Sequence, residues 1–247
     1  MRTSLATLAA CSLIAAASIA TASTTPAEAA ASCSRPATIV STTISPKTVV
    51  VGTSVPKGIT ITTKIRTNGC RIDRVEAGLY GPNFVDTFDL DKVESSGGVT
   101  TYDTGLRISP GDLPNTEAGR WQSYITVTGQ SSPEAPGPDF KILRAAKLTT
   151  NATPEPVRKG AKLTVKGKLT RASWDSMHYR GYGKRTVELQ RRTPHGTYKL
   201  VKKVTTAADG SIVTKVKAKS DGCYRFVFRG TGTTRKVTSK GDCVDVR

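Results

Sequence analysis

Strict alternation of apolar and basic residues in the second half of the chain constrains its fold more than any other sequence feature. Leu163, Val165 and Leu169 alternate with lysines, and the same pattern returns from Ile212 to Lys219. A repeat of two residues gives a strand one buried face and one exposed face, as in an antiparallel sheet that packs on a second sheet. The second half is therefore predicted to be an antiparallel β-sandwich.

The first half carries strand signals of its own. Residues 60–65, 74–80 and 121–127 are rich in threonine, valine and aromatic residues, and Gly, Pro and Asn separate such runs. Short strands at this spacing are typical of Ig-like sandwiches. The sequence as a whole thus predicts an all-β protein with two tandem Ig-like antiparallel β-sandwich domains after a cleaved signal peptide.

The amino-terminal residues predict export. A short positive start precedes an apolar, alanine-rich stretch at 5–20, and small residues follow up to Ala31. Because this is the pattern of a secretory signal peptide, we predict a signal peptide over 1–31 and a secreted, extracellular protein. The alternative is a lipid anchor on Cys11, since Leu8-Ala9-Ala10-Cys11 fits a lipobox. No later run approaches the ~20 apolar residues of a membrane-spanning helix.

Charge divides the rest of the chain. Residues 32–141 contain eleven Lys and Arg against eleven Asp and Glu, whereas residues 142–247 contain twenty-five against seven, so the second half carries the net charge of +18. The proline-rich segment 131–138 is interpreted as a long loop before a last strand of the first domain. We predict a neutral domain over 32–145 and a strongly basic domain over 146–247.

Four cysteines follow the predicted cleavage site: Cys33, Cys70, Cys223 and Cys243. Four cysteines permit three pairings, and their division between the halves favours Cys33–Cys70 and Cys223–Cys243. Export to an oxidising compartment supports disulfides. Metal ligation is the alternative, although no Cys-x-x-Cys spacing occurs. The alternation predicts that Cys223 and Cys243 lie on one exposed face, as a link between neighbouring strands.

Several segments of the second half resemble a known family. Thr153–Gly160, Leu163–Asp175, Tyr179–Tyr182 and Gly241–Arg247 are similar to segments of secreted actinobacterial proteins with two Ig-like β-sandwich domains. That family is of uncharacterised function, and some members carry a calcium-binding label. The resemblance covers 147–247 well and the first domain only by its layout, so it implies the fold. Members tend to have aromatic residues at the positions of Cys223 and Cys243, which fits a disulfide gained as a pair.

Six lysines from the two alternating runs are the first candidate binding residues. If the runs are neighbours in one sheet, a flat cationic surface results, which we call the lysine face: Lys162, Lys166, Lys168, Lys215, Lys217 and Lys219. An anionic polymer would relieve the repulsion and release counterions. We expect an anionic cell-wall polymer or acidic polysaccharide as partner, nucleic acid only as a non-specific polyanion, and no cofactor. The alternative is that these lysines keep a secreted monomer soluble and protect sheet edges.

A calcium-binding module in the first domain is the second candidate. The oxygen ligands that Ca²⁺ prefers would come from Asp86, Asp89, Asp91 and Glu94. On a single strand Asp89 and Asp91 would point to the same side and share an ion. The spacing does not match an EF-hand, so a solvated acidic strand is the simpler interpretation.

Catalysis is not expected from this sequence. The two histidines, His178 and His195, lie in no catalytic motif. His195 falls in a predicted turn. The aromatic segment Trp174–Tyr182 around His178 is interpreted as a core plug beneath a long connection, or alternatively as a stacking platform at the edge of the sandwich.

Overall fold

The structure is a computed structural model that describes Cys33 and residues 35–247. These residues form one compact unit. The described residues contain twenty β-strands, one short 3-10 turn at Asn115–Glu117 and no α-helix, which confirms the predicted all-β class. The predicted signal peptide and the alternative lipid anchor on Cys11 lie outside the described residues.

The first ten strands form two sheets that pack face to face. Their bounds are β1 Thr38–Ser45, β2 Thr48–Val51, β3 Lys57–Arg66, β4 Ile72–Tyr80, β5 Val85–Asp89, β6 Asp91–Ser96, β7 Val99–Ile108, β8 Gly119–Gly129, β9 Glu134–Pro136 and β10 Phe140–Arg144. One sheet has the order β1-β3-β7-β6 and the other β2-β10-β8-β4-β5, with β9 beside β8. The pairing of β2 with β10 is parallel and the other pairings are antiparallel. The strand expected after the proline-rich segment is β10, but the interpretation of 131–138 as a loop is wrong in part, because the segment includes β9, which pairs with β8.

The first core forms between these two sheets. Burial alternates along β3, where Ile59, Ile61 and Ile65 are buried and Thr60 and Lys64 are exposed. Side chains of β4, β8 and β10 meet them from the opposite sheet. The alternation of apolar and polar residues along β3 thus matches the alternation of buried and exposed side chains in the sandwich.

The second ten strands form two further sheets. Their bounds are β11 Ala146–Leu148, β12 Asn151–Thr153, β13 Lys162–Ser173, β14 His178–Gly181, β15 Thr186–Arg192, β16 Lys199–Thr205, β17 Ser211–Lys217, β18 Gly222–Phe228, β19 Val237–Thr238 and β20 Asp242–Val244. In one sheet β13 pairs with β11, β12, β14 and β17. The other sheet has the order β16-β15-β18-β19, and β20 also pairs with β18. A second core fills the space between them.

One long strand links the two cores. The first part of β13 belongs to the second core, but Ala172 near its end and Trp174 just after it pack in the first core. Trp174 is only 2% exposed. Its indole Nε1 donates a hydrogen bond to the carbonyl oxygen of Val51 (3.2 Å), and its backbone N–H donates to Oδ1 of Asn115 (2.9 Å). Trp174 is therefore a core plug, which is one of the two interpretations of the aromatic segment. The boundary between two domains near Ala145 stays a prediction.

Both favoured disulfides are present, which confirms the predicted pairing. Cys223 of β18 lies directly opposite Cys243 of β20, so the second disulfide joins neighbouring antiparallel strands. The prediction that Cys223 is exposed is wrong, because this side chain is only 4% exposed. Tyr198 covers that side of the sheet: its ring centroid lies 3.8 Å from the guanidinium of Arg225, and its hydroxyl leaves no room for a Cβ at Gly241.

Candidate polyanion-binding face

The two lysine-bearing strands are direct neighbours. β13 and β17 pair in antiparallel register over seven residue pairs, with Lys162 directly opposite Lys217 and Thr164 opposite Lys215. All six lysines of the lysine face are exposed, while Leu163 and Val165 between them are buried. Lys219 lies two residues beyond the end of β17. The structure therefore brings the predicted residues together on one side of a sheet.

The arrangement concentrates positive charge. Opposed side chains on adjacent strands have Cβ atoms ~4.5–5.5 Å apart, and like charges placed directly opposite are destabilising. Within the described part of the chain, no ion pair involves any lysine of the face. Asp209 precedes β17, and hydrogen bonds from Ser211 are the main cause that lowers the pKa of Asp209, with a further contribution from the charge of Lys168.

Several arginines of the second half, in contrast, contact partners within the protein. Arg171 and Arg185 stack on the ring of Tyr182, with guanidinium carbons 4.0 and 4.6 Å from its centroid. Arg229 donates two hydrogen bonds to Glu188, of 3.1 and 2.7 Å. Such contacts occupy the cationic groups. The contact between Arg229 and Glu188 could not be predicted from the sequence, because the two residues are 41 positions apart.

Arg144 has the most deeply buried basic side chain among the described residues of 142–247. Burial, and then the nearby charge of Arg171, lower the pKa of Arg144 to about 10. Its Nε donates to the carbonyl oxygen of Ala172 (2.6 Å). Because Arg144 ends β10 and Ala172 is in β13, this hydrogen bond supports the connection between the two cores and does not add to the binding face.

The four acidic residues of the calcium alternative lie on two different sheets. Asp86 and Asp89 are in β5, whereas Asp91 and Glu94 are in β6. The interpretation of this segment as one strand is wrong, because Leu90 is buried where the chain passes from one sheet to the other. Asp89 pairs with Arg74 (Nε to Oδ1, 2.5 Å), and this hydrogen bond is the main cause that raises the pKa of Arg74. Calcium binding stays a prediction.

Both histidines are exposed at the surface. His178 is exposed at the start of β14, and its Nδ1 lies 2.5 Å from the carbonyl oxygen of Ser176; His195 is exposed in the β15–β16 turn. Across Cys33 and residues 35–247, no group of three or more His, Cys, Asp and Glu side chains is placed to hold a metal ion. The same residues include no helix long and apolar enough to cross a membrane.

Comparisons with known proteins leave the geometry as the basis for function. No family model and no curated protein matches the chain. Among solved structures it is similar to the adhesin InvE of Yersinia pseudotuberculosis, with 13% identity and a TM-score of 0.31 over 85% of this chain and 58% of that one. It is also similar to dimeric latent PorU of Porphyromonas gingivalis (15%, TM-score 0.31, 86% and 20%) and to trypsin-activated alpha-2-macroglobulin of Escherichia coli (10%, 0.31, 83% and 15%). The chain spans 58% or less of the length of these structures.

Proposed function

We propose that this protein is a non-catalytic, secreted binding module that holds anionic polymers of the cell exterior on its lysine face. The observation that carries the proposal is the register of β13 and β17, which sets Lys162 directly opposite Lys217, and neither lysine forms an ion pair with any of the described residues. Wall teichoic or teichuronic acids and acidic polysaccharides present repeated anionic groups of the kind such a surface attracts.

Counterion release supplies the driving force. A protein that neutralises Z anionic groups shows a logarithmic affinity that falls with the logarithm of salt concentration, with a slope of about −0.7Z to −0.9Z. If each lysine of the face neutralises one group, Z is six and the slope is about −4 to −5. Lysines that serve only to keep the protein soluble would show no such slope, because no polymer would be held.

Reversing the charge of two central lysines should remove binding. In the double variant Lys215→Glu/Lys217→Glu we expect loss of retention on teichoic-acid-containing cell walls at physiological salt. At salt concentrations where binding is still measurable, the slope of logarithmic affinity against logarithmic salt concentration should be less negative by about two or more, since each phosphate contact contributes about one. Both side chains are exposed, so folding should be preserved. Co-sedimentation of the full-length mature protein with walls, over a salt series, measures both quantities.

The matched control changes net charge equally at a distant place. Lys57 and Lys64 are exposed on β3, in the first pair of sheets, and Lys57→Glu/Lys64→Glu removes the same four units of charge. The proposal requires that this control keeps most of its retention. Equal loss in both double variants would show attraction by total charge alone, and full retention in Lys215→Glu/Lys217→Glu would show that the lysine face only solvates the protein.

A further inference from the structure

A cleft of about 470 Å³ opens beside the lysine face, between the edge strands β16 and β17 of opposite sheets; we call it the edge cleft. At one end Lys202 reaches across, and its Nζ donates to the carbonyl oxygen of Lys215 (2.8 Å). At the other end Arg191 donates to the carbonyl oxygens of Ser220 (2.5 Å) and Asp221 (2.9 Å). These hydrogen bonds connect the two sheets next to the opening, and Lys217 and Lys219 belong both to the cleft lining and to the lysine face.

The floor of the edge cleft is apolar. It includes Leu200, Val201, Val216 and Tyr224. Leu200 and Val201 are consecutive, yet they are 53% and 43% exposed. A β-bulge explains this, because Leu189 pairs with Lys202 and Gln190 with Leu200, which leaves Val201 without an opposite residue. Bulges redirect side chains in this way, and here an edge strand presents adjacent apolar groups to the opening.

The charged residues that line the edge cleft are all cationic, and the remaining lining residues outside the floor are Thr193, Gly196 and Thr197. None of the lining residues is acidic, and the charged ones, which we call the rim, are Arg191, Arg192, Lys199, Lys217 and Lys219. Charged residues of a single sign around a low-dielectric floor focus the field on the opening. A ligand that fits must therefore offer apolar surface to the floor and negative charge to the rim.

We propose that the edge cleft binds a monomeric anionic amphiphile, with its alkyl or acyl chain on the apolar floor and its sulfate, phosphate or carboxylate head at the cationic rim. The volume lies within the ~300–1,000 Å³ usual for small-molecule sites. The inference goes beyond polymer binding, because it requires the floor residues, which the lysine face does not use.

Chain-length dependence is the most direct test. The probes are inorganic, butyl, hexyl and octyl sulfate, titrated into the full-length mature protein at constant ionic strength and below micelle formation. Each methylene buried should raise affinity about fourfold, since burial of one CH₂ contributes about 0.8 kcal/mol and 1.4 kcal/mol is tenfold. Octyl glucoside, which is neutral, should bind at least tenfold more weakly than octyl sulfate. Equal affinity along the sulfate series, or equal binding of octyl glucoside, would overturn the proposal.

A matched pair of variants locates the site. Leu200→Gln/Val201→Gln should lose at least tenfold in affinity for octyl sulfate while its weak binding of inorganic sulfate is unchanged. Val213→Gln is the control, because Val213 is 60% exposed on β17 outside the edge cleft. Thermal melting confirms that both variants fold. A loss of octyl sulfate affinity in Val213→Gln equal to that in the double variant would contradict the assignment.

Two further measurements separate this site from polymer binding and from attraction to membranes. Leu200→Gln/Val201→Gln should still be retained on cell walls, and Lys162→Glu/Lys166→Glu should still bind octyl sulfate. If wild-type protein is not retained on walls and yet shows the chain-length dependence, the proposed polymer function fails and the edge cleft assignment stands. Binding to vesicles of anionic lipid without binding of monomeric octyl sulfate would overturn the assignment, since charge alone would then account for the attraction.

Discussion

Replacing Trp174 with alanine should lower the free energy of unfolding by about 3–5 kcal/mol, the usual cost of removing a fully buried tryptophan. The side chain comes from the second half of the chain but packs in the first core, and its indole N–H donates to Val51. Its loss would leave a cavity in that core and remove a link between the two pairs of sheets. For a chain of this size each kcal/mol corresponds to ~2–4 °C in melting temperature.

Tryptophan fluorescence reports on unfolding of the first core, where the loss of stability in Trp174→Ala is expected. The protein has two tryptophans, so in any Trp174 variant the signal comes from Trp121, which is buried in the first core. Trp174→Phe should cost clearly less than Trp174→Ala, because it keeps an aromatic ring. Met177 lies in the exposed turn of the hairpin that β13 and β14 form around Trp174, and Met177→Ala should change stability by no more than ~0.5 kcal/mol. If Trp174→Ala unfolds at the same temperature as Met177→Ala, the hairpin does not support the first core.

Removing the Cys33–Cys70 disulfide should destabilise the protein by about 4 kcal/mol, and removing Cys223–Cys243 by about 3 kcal/mol. The difference follows from loop length, since the cysteines are 37 and 20 residues apart and a longer closed loop restricts the unfolded chain more. Denaturant unfolding of the double variants Cys33→Ala/Cys70→Ala and Cys223→Ala/Cys243→Ala measures both losses.

The quadruple variant provides the control for these two losses. The disulfides are at separate places, because Cys70 belongs to the first core while Cys223 and Cys243 lie in β18 and β20, which border the second. Effects at separate sites add to within ~0.5 kcal/mol, so the quadruple variant should lose about the sum. A larger loss for Cys223→Ala/Cys243→Ala than for Cys33→Ala/Cys70→Ala would contradict the loop-length explanation.

The repeat of two residues in the sequence was enough to predict which side of the sheet the lysines occupy. Lysines alternate with buried apolar residues along β13 and β17, so their exposed side followed from the repeat of two. The favoured disulfide pairing also followed, because each half contains one pair. These features depend on neighbours along the chain or on a simple division of the sequence.

The features that could not be predicted from the sequence depend mainly on contacts between residues that are distant along the chain. Trp174 crosses into the other core, and Tyr198 covers the face on which Cys223 was expected to be exposed. The edge cleft was missed because the bulge at Val201 breaks the repeat of two in β16. The chain also passes from one sheet to the other at Leu90, so the acidic residues before and after it lie on β5 and β6 and not on one strand as the sequence suggested.

The most direct test of polymer binding is co-sedimentation of residues 32–247 with Gram-positive cell walls, before and after acid extraction of teichoic polymers, over a salt series. We predict retention at low salt that disappears on extraction, with a logarithmic affinity that falls with the logarithm of salt concentration at a slope of about −4 to −5. Retention that survives extraction, or no retention at low salt, would contradict a lysine face that binds anionic polymers.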